Sequence, residues 1–149
     1  MGKVISGSLV ILLALGVIVS ASIAMAAKER SNEVASAIVP FEAGRVVPDL
    51  EHNIIKFRSV DILILDPDVE KDRQKVKFKM RVENFGEHDH KVIITTTLRD
   101  VDDKIVANKT VKDDIDDNDS ELIKAKFALS IADVERVESV LFELSYLKD

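Results

Sequence analysis

The sequence predicts a mainly β protein, in which one N-terminal hydrophobic α-helix precedes a β-sandwich of six or seven strands. Two observations support this fold class. Residues 4–27 contain no charged side chain, although 32% of the 149 residues in the chain are charged. Beyond residue 44, apolar residues recur at every second position, which is the period of strands that bury one face. We therefore expect a hydrophobic helix at 1–27, a neck or linker at 28–44 and a β-sandwich domain at 45–149.

The uncharged N-terminal stretch is long enough to cross a membrane. Its 24 residues, at a rise of about 1.5 Å each, would form a helix of about 36 Å, against a hydrocarbon core of about 30 Å. It would then remain as a membrane anchor or as the core of a filament. A cleaved signal peptide fits equally well, because Lys3 precedes the apolar core and Ala24-Met25-Ala26 forms a small-x-small cleavage site. In both cases we expect the rest of the chain to be extracytoplasmic, either membrane-anchored or at the cell surface.

A stripe of small residues marks one face of this predicted helix. Gly16, Ser20 and Ala24 are spaced four residues apart and therefore lie above one another. Small residues at this spacing allow a second helix to approach closely in lipid. If the stretch is retained, the stripe predicts packing against copies of the same chain or against a partner. The alternative is that small residues are simply common near signal-peptidase sites.

The segments after the N-terminal stretch differ in their periodicity. Residues 33–39 could extend the apolar helix by a turn or two before Pro40 disfavours it. Beyond the neck, the clearest strand pattern is "KVKFKMRVENF", in which apolar and charged residues alternate. The strands expected from such patterns are 53–65, 75–85, 90–100, 104–112, 121–130 and 137–147, with residues 44–50 as an edge strand and one helical turn within 130–137. The short acidic connection between the strands at 90–100 and 104–112 predicts a hairpin.

Two stretches resemble a known class of domain. They are "VKFKMRVENFGEHDHKVIITTTLRDVDDKIVANKTV" and "LSIADVERVESVLFEL", with an Asn-x-Gly turn at Asn84 and Gly86 and an acidic turn at Asp100, Asp102 and Asp103. The pattern is similar to immunoglobulin-like or fibronectin-like extracytoplasmic domains of archaeal and bacterial surface proteins. One apolar helix leading into such a sandwich also resembles archaeal type IV filament subunits and the membrane-anchored accessory proteins of the archaellum. The resemblance implies a structural role at the cell surface.

Two polar segments contain residues that can act as metal ligands. Glu87-His88-Asp89-His90, together with His52, offers donors suited to zinc or copper, but a third ligand at a motif spacing is missing. We therefore predict a solvated hairpin turn there. The stretch "DDIDDNDSE" offers oxygen ligands for calcium but lacks the glycine and the terminal glutamate of a calcium-binding loop. It is predicted to be a solubilising loop between strands, with a calcium site as the alternative, so we expect neither a metal nor a cofactor.

Catalytic and covalent features are few. The chain has no cysteine, which leaves neither a disulfide framework nor a thiolate nucleophile. It has no glycine-rich phosphate loop, and the spacing of its Ser, His and Asp residues matches no catalytic motif. We therefore expect that the protein is not an enzyme. Asn108 and Asn118 lie in glycosylation sequons and are possible glycosylation sites of a domain outside the membrane.

Charge narrows the choice of partners. Residues 28–149 hold 20 of the 21 basic side chains and all 27 acidic ones, and the sequence shows no basic stripe. Such a surface repels phosphate backbones, so we expect no nucleic-acid partner. The predicted partners are a membrane and copies of the same chain, both reached through the N-terminal helix.

Two functions follow from these observations. The first is a non-enzymatic cell-surface structural protein, a subunit or a membrane-anchored accessory part of an extracellular appendage, assembled through the N-terminal hydrophobic helix. The alternative is a signal-cleaved, secreted or envelope-bound binding module that recognises an envelope protein or a glycan. Such a module could also polymerise by donor-strand exchange, in which residues 34–39 complete a neighbour's sheet.

Overall fold

The computed structural model of the protein describes residues 33–148. The predicted hydrophobic helix at 1–27, with Gly16, Ser20 and Ala24, lies outside the described residues. The described elements are the strands β1 (Ala35–Pro40), β2 (Gly44–Val46), β3 (Glu51–His52), β4 (Ile55–Ile64), β5 (Gln74–Asn84), β6 (His90–Arg99), β7 (Ile105–Ile115), β8 (Asp119–Leu129) and β9 (Ser139–Lys148), and the helix α1 (Ile131–Glu135). None of the helices in this part of the chain is long and apolar enough to span a membrane.

The strands form two antiparallel sheets. Sheet one has the order β1-β9-β6-β7, and sheet two has the order β2-β4-β5-β8, with the short β3 also paired to β4. The predicted mainly β fold is therefore confirmed, and two antiparallel sheets are what a β-sandwich requires. The six strands expected from alternation all form, each with bounds within a few residues of those predicted.

The alternating pattern of β5 divides the strand into a buried and a charged side. Val76, Phe78, Met80 and Val82 are fully buried. The lysines between them remain partly or fully exposed on the opposite face. This arrangement follows from the two-residue period of a strand, because successive side chains point to opposite faces.

Aromatic rings join the two sheets in the core. Phe142 of β9, in sheet one, lies 5.7 Å from Phe57 of β4 and 6.0 Å from Phe78 of β5, measured between ring centroids. Phe78 also meets Phe127 of β8 edge to face at 5.8 Å. Such tilted and edge-on contacts are favoured by the charge distribution of aromatic rings. The inner faces of both sheets therefore share one hydrophobic core.

The start of the described chain departs from the sequence analysis. The predicted extension of the N-terminal helix towards Pro40 is wrong, because Ala35–Pro40 is the strand β1. It pairs antiparallel with β9, with Val39 opposite Val140 and Ala37 opposite Phe142. An unpaired edge of β9 offers backbone hydrogen bonds that a helix could not use. Sheet one thus begins inside the segment that the sequence assigned to the neck.

The connections between strands are of two kinds. The hairpin predicted between β6 and β7 is confirmed, with β6 and β7 paired along their length. Its turn is held by Asp100, whose Oδ1 accepts hydrogen bonds from the backbone N–H groups of Asp102 at 2.9 Å and Lys104 at 3.0 Å. These hydrogen bonds, with the charges of Arg136 and Lys104, lower the pKa of the Asp100 carboxyl. The helical turn α1 is also confirmed, and the Ser130 hydroxyl caps it by accepting from the Asp133 N–H at 3.1 Å.

The second kind of connection crosses between the sheets. The predicted hairpin turn at residues 87–90 is wrong, because β5 lies in sheet two and β6 in sheet one. Residues 85–89 therefore carry the chain from one sheet to the other. Residues 116–118 do the same between β7 and β8. The acidic stretch at 113–121 is thus mostly strand, with only a three-residue loop at its centre.

Candidate functional site

The fold separates the three histidines that could bind a metal into one exposed residue, His88, and two buried ones, His52 and His90, beside Tyr146. His88 is exposed in the first crossing, whereas His90 is 3% exposed and opens β6. The rings of His90 and His52 lie 5.0 Å and 5.2 Å from the ring of Tyr146. The prediction of a solvated turn is therefore wrong for His90, because its ring packs with Tyr146 under the crossing. Among residues 33–148, no group of three or more His, Asp or Glu side chains is arranged to hold a metal ion.

Asn84 joins the two crossings. Its side chain is completely buried. The Nδ2 group donates to the backbone carbonyls of His88 at 2.9 Å and Ile115 at 3.1 Å, and Oδ1 accepts from the Gly86 N–H at 2.8 Å. A further bond runs from the Asn118 N–H to the Gly86 carbonyl at 3.3 Å. Asn84 therefore satisfies the polar backbone of both crossings and holds them as one unit.

An acidic surface is displayed on this unit. We define the acidic end as the exposed carboxylates of the two crossings and the adjacent start of β8, namely Glu87, Asp89, Asp116, Asp117 and Asp119. Oδ1 of Asp89 accepts from the Asp117 N–H at 3.0 Å, which ties one crossing to the other. None of the five carboxylates forms an ion pair with another residue of 33–148. The acidic end is thus a fixed cluster of uncompensated negative charge.

A basic surface covers the outer side of sheet two. We define the basic face as the cations that point outward from β5 and β8, namely Lys75, Lys77, Lys79, Arg81, Lys124 and Lys126. Lys77 lies directly opposite Lys126 in the strand register, and Lys79 lies opposite Lys124. The expectation that the domain has no basic stripe is therefore wrong. Four of its members alternate along β5 and are visible in the sequence, whereas the two lysines of β8 lie about 45 residues further on and join them only in the fold.

The cations of the basic face are only partly compensated: Lys79 lies opposite Asp61, and its charge helps to lower the pKa of that carboxyl. None of the six forms an ion pair within residues 33–148, although Arg45 and Arg58 nearby are paired with Asp61 and Glu83. The Arg45 guanidinium makes two contacts to the Asp61 carboxylate, at 2.7 and 3.0 Å, and lowers the pKa of that carboxyl. Like charges directly opposite each other on paired strands repel. The face is therefore electrostatically unfavourable for the isolated domain.

The basic face is bordered by a shallow depression. It encloses about 470 Å³ and is lined by residues of β2 and β4, with Arg45, Asp61 and Lys79 contributing the charged groups. The depression gives the edge of an otherwise flat sheet some relief. A partner lying on the basic face would therefore meet both a flat cationic surface and a recess beside it.

The outer side of sheet one is different in character. Its central row contains Glu143, placed between Ser36 of β1 and Thr95 of β6. Burial raises the pKa of the Glu143 carboxyl, and the positive charge of Arg99 offsets part of that rise. A carboxyl whose pKa is raised by folding favours the folded state only while it is protonated. Its contribution to stability is full below its ordinary pKa and is lost as the pH rises through the raised pKa.

We expect Glu143→Gln to raise the melting temperature by a few degrees at pH 7, because the neutral amide avoids the desolvation of a carboxylate. Below a pH of about 4 the gain should vanish, since the native carboxyl is then protonated. The measurement is thermal unfolding of both proteins at the two pH values. Glu121→Gln, at an exposed position of β8, serves as the control and should not change the melting temperature at either pH. Equal melting of Glu143→Gln and the native chain at pH 7 would contradict the expected desolvation.

The two sequons lie on the surface at different places. Asn108 is exposed in the middle of β7, which is an edge strand of sheet one. Asn118 is exposed in the second crossing, where its backbone adopts a left-handed conformation with φ of 52°. Both side chains are therefore accessible to modifying enzymes in the folded domain.

Comparison with known proteins yields only partial structural matches at low identity. No protein family model matches the chain, and no curated protein matches it. Among solved structures, a β-glucuronidase from glycoside hydrolase family 2 superposes with a TM-score of 0.43 and 10% identity, over 48% of this chain and 7% of that one. A protein described as a β-galactosidase of Bacteroides fragilis superposes with a TM-score of 0.42 and 18% identity, over 48% of this chain and 10% of that one. The chain spans a tenth or less of the length of either enzyme, and neither activity is transferred to it.

Proposed function

We propose that the protein is a non-enzymatic structural protein of the cell surface, a subunit or membrane-anchored accessory part of an extracellular appendage. The uncharged stretch at 4–27 supports this proposal, because it can anchor the chain or pack against copies of itself. The position of β1 also supports it. The first described strand follows the stretch after seven residues and is itself part of sheet one. A pull on the N-terminal segment would thus act directly on the sheet.

The finer fold that we propose is an immunoglobulin-like sandwich. In that class, strands A, B and E form one sheet, and strands C, F and G form the other, to which a further strand C′ can be added beside C. The observed order β4-β5-β8 corresponds to A-B-E, and β7-β6-β9 corresponds to C′-C-F. The place of strand G, antiparallel to F, is taken by β1 from the other end of the chain. The last strand of the usual order is therefore supplied by the N-terminal segment.

The experiment for the main proposal begins with the mass of the mature protein from membranes, which distinguishes retention from cleavage. We then expect Gly16→Ile with Ser20→Ile to leave membrane delivery intact and to abolish self-association or partner capture, because bulky side chains hold helices apart. Crosslinking of detergent extracts measures the association. Leu12→Ile with Leu15→Ile is the control and should associate normally. A mature N-terminus at Ala27, or normal assembly of the first variant, would contradict assembly through the helix.

The position of β1 favours donor-strand exchange as a second candidate function. β1 pairs with β9 through six residues, yet Val39 is its only buried side chain. Ala35 and Ala37, which also point inward, are small and only partly buried. A strand that contributes so little burial can be replaced by the same strand of another copy at small cost, because the hydrogen bonds and the contacts are identical.

Engineered cysteines test this exchange, since the chain contains no natural ones. Ser36 and Glu143 are register partners on the outer side of β1 and β9. In exchanged assemblies, Ser36→Cys with Glu143→Cys is expected to form covalent ladders on non-reducing gels. The control is Thr95→Cys with Thr110→Cys, because these partners lie in the β6–β7 hairpin and should crosslink only within one chain. Crosslinking of the first pair within single chains alone, in assembled material, would exclude exchange.

A further inference from the structure

The charge of the domain is distributed very unevenly. Residues 33–148 carry 25 acidic and 18 basic side chains, so the domain is negative as a whole. Nine of the 18 basic side chains nevertheless lie on the outer side of sheet two, where the acidic side chains are Glu51, Asp61 and Glu83. The positive field is therefore concentrated on one face of a negative molecule, which attracts a compact anionic partner and orients it.

The basic face retains an electrostatic cost that the isolated domain relieves only in part, through Asp61 opposite Lys79. Lys77 opposite Lys126 and Lys79 opposite Lys124 place four ammonium groups within two neighbouring rungs of one strand pair. Replacing one lysine of each pair by glutamate would turn repulsion into attraction, as cross-strand pairs generally show. A negatively charged partner on this face removes the same repulsion, and so gains from an arrangement that is unfavourable without it.

The acidic end has the properties of such a partner. Its carboxylates are exposed and unpaired, and the backbone beneath them is fixed by the buried Asn84 and by the bond between Asp117 and Asp89. A surface that is already ordered loses little conformational entropy on binding. The opposite end of the sandwich also displays carboxylates, but the exposed cations Lys71, Arg73, Lys104 and Arg136 lie among them. Its charge is therefore mixed, and it is less suited to a cationic surface.

We propose that the basic face of one copy of this chain binds the acidic end of a second copy. The two surfaces differ, so each bound pair leaves one basic face and one acidic end free for further copies. The contact therefore propagates head to tail rather than closing into a dimer. It involves only residues of the sandwich and goes beyond assembly through the N-terminal helix or through β1.

Size and charge favour a second copy over a long anionic polymer. Lys75 and Arg81 are six residues apart on β5, so the basic face extends for about 20 Å along the strands. A polymer longer than this would leave the face and meet the negative remainder of the surface. The acidic end is confined to two short crossings, and its negative charge can be placed wholly on the basic face.

The test uses the full-length chain in an uncharged detergent and measures association by sedimentation velocity. Association that depends on the basic face is expected to weaken at about 1 M salt, where charges are screened within about 3 Å. Lys77→Glu with Lys126→Glu, and separately Asp116→Lys with Asp117→Lys, should each raise the dissociation constant at least about tenfold. An equimolar mixture of the two variants should associate like the native chain, because each supplies a surface complementary to the other.

Controls separate this contact from general electrostatics and from the helix. Lys71→Glu with Lys104→Glu makes the same change in net charge at exposed positions outside the basic face, and should leave the salt-dependent association unchanged. Gly16→Ile with Ser20→Ile should also retain it, so a failure of helix packing does not affect the result. Thermal melting of every variant verifies the fold.

Three results would overturn the proposal. One is an equal loss of association in the Lys71 and Lys104 control. Another is a mixture of the two reversed variants that fails to regain association. The third is a native chain without salt-dependent self-association that instead binds polyphosphate or phosphatidylglycerol vesicles through Lys77 and Lys126, which would assign the basic face to an anionic polymer or to a lipid surface.

Discussion

Phe142→Ala is expected to lower the free energy of unfolding by about 3–5 kcal/mol, the cost of removing a large buried aromatic side chain. Phe142 is fully buried in β9, the second strand of sheet one, and its ring contacts Phe57 and Phe78 of sheet two. The substitution leaves a cavity where the two sheets meet. Each neighbouring ring also loses a favourable aromatic contact.

Urea unfolding followed by far-UV circular dichroism measures this loss. The control is Leu141→Ala in the same strand, whose side chain points to the outer side of sheet one and is partly exposed. We expect it to cost about 1 kcal/mol or less. A loss for Phe142→Ala no larger than for this control would show that the two inner faces are not packed against each other.

Asn84→Ala is expected to lower the free energy of unfolding by about 3 kcal/mol. The substitution removes the donor to the carbonyls of His88 and Ile115 and the acceptor for the Gly86 N–H. Each buried polar group left without a partner costs about 1–3 kcal/mol, partly recovered where water enters. Because Asn84 fixes both crossings, we also expect faster amide hydrogen exchange at Gly86 and Asn118.

Denaturant unfolding and hydrogen exchange together test this role of Asn84. Asn108→Ala on β7 removes an exposed asparagine side chain and should change stability by no more than about 0.5 kcal/mol. If Asn84→Ala lowered the free energy of unfolding no more than Asn108→Ala does, the hydrogen bonds of Asn84 would not be what holds the crossings. If it lost stability without faster exchange at the crossings, its role would be one of packing.

Local patterns were sufficient to find most strands. The alternation in β5 predicts both its buried residues and its charged side, because a strand's two-residue period is a local property. The acidic turn at Asp100 predicts the β6–β7 hairpin, since the carboxylate can bond its own backbone two and four residues on. The helical turn expected within 130–137 also depends on local interactions, because the Ser130 hydroxyl caps α1 by accepting from the Asp133 N–H.

Sheet membership was not available from local patterns. A short polar connection such as 85–89 is compatible with a hairpin and with a crossing between sheets, and only the core contacts of β5 and β6 decide between them. That choice also decides whether His90 lies in solvent or beside Tyr146. The role of Asn84 follows from it as well, since Ile115 becomes a neighbour only when β7 ends at the same crossing.

The sequence by itself determined the class of the fold, the positions of most of its strands and the presence of an uncharged N-terminal stretch. These depend on composition and on periodicities within about ten residues. The tertiary structure decided that Ala35–Pro40 is a strand rather than the continuation of a helix, because its partner β9 lies about one hundred residues away in the chain. It also decided that the lysines of β5 and β8 form one basic face, since antiparallel pairing sets Lys77 opposite Lys126. Both outcomes depend on hydrogen bonds between distant segments, which only the folded chain brings together.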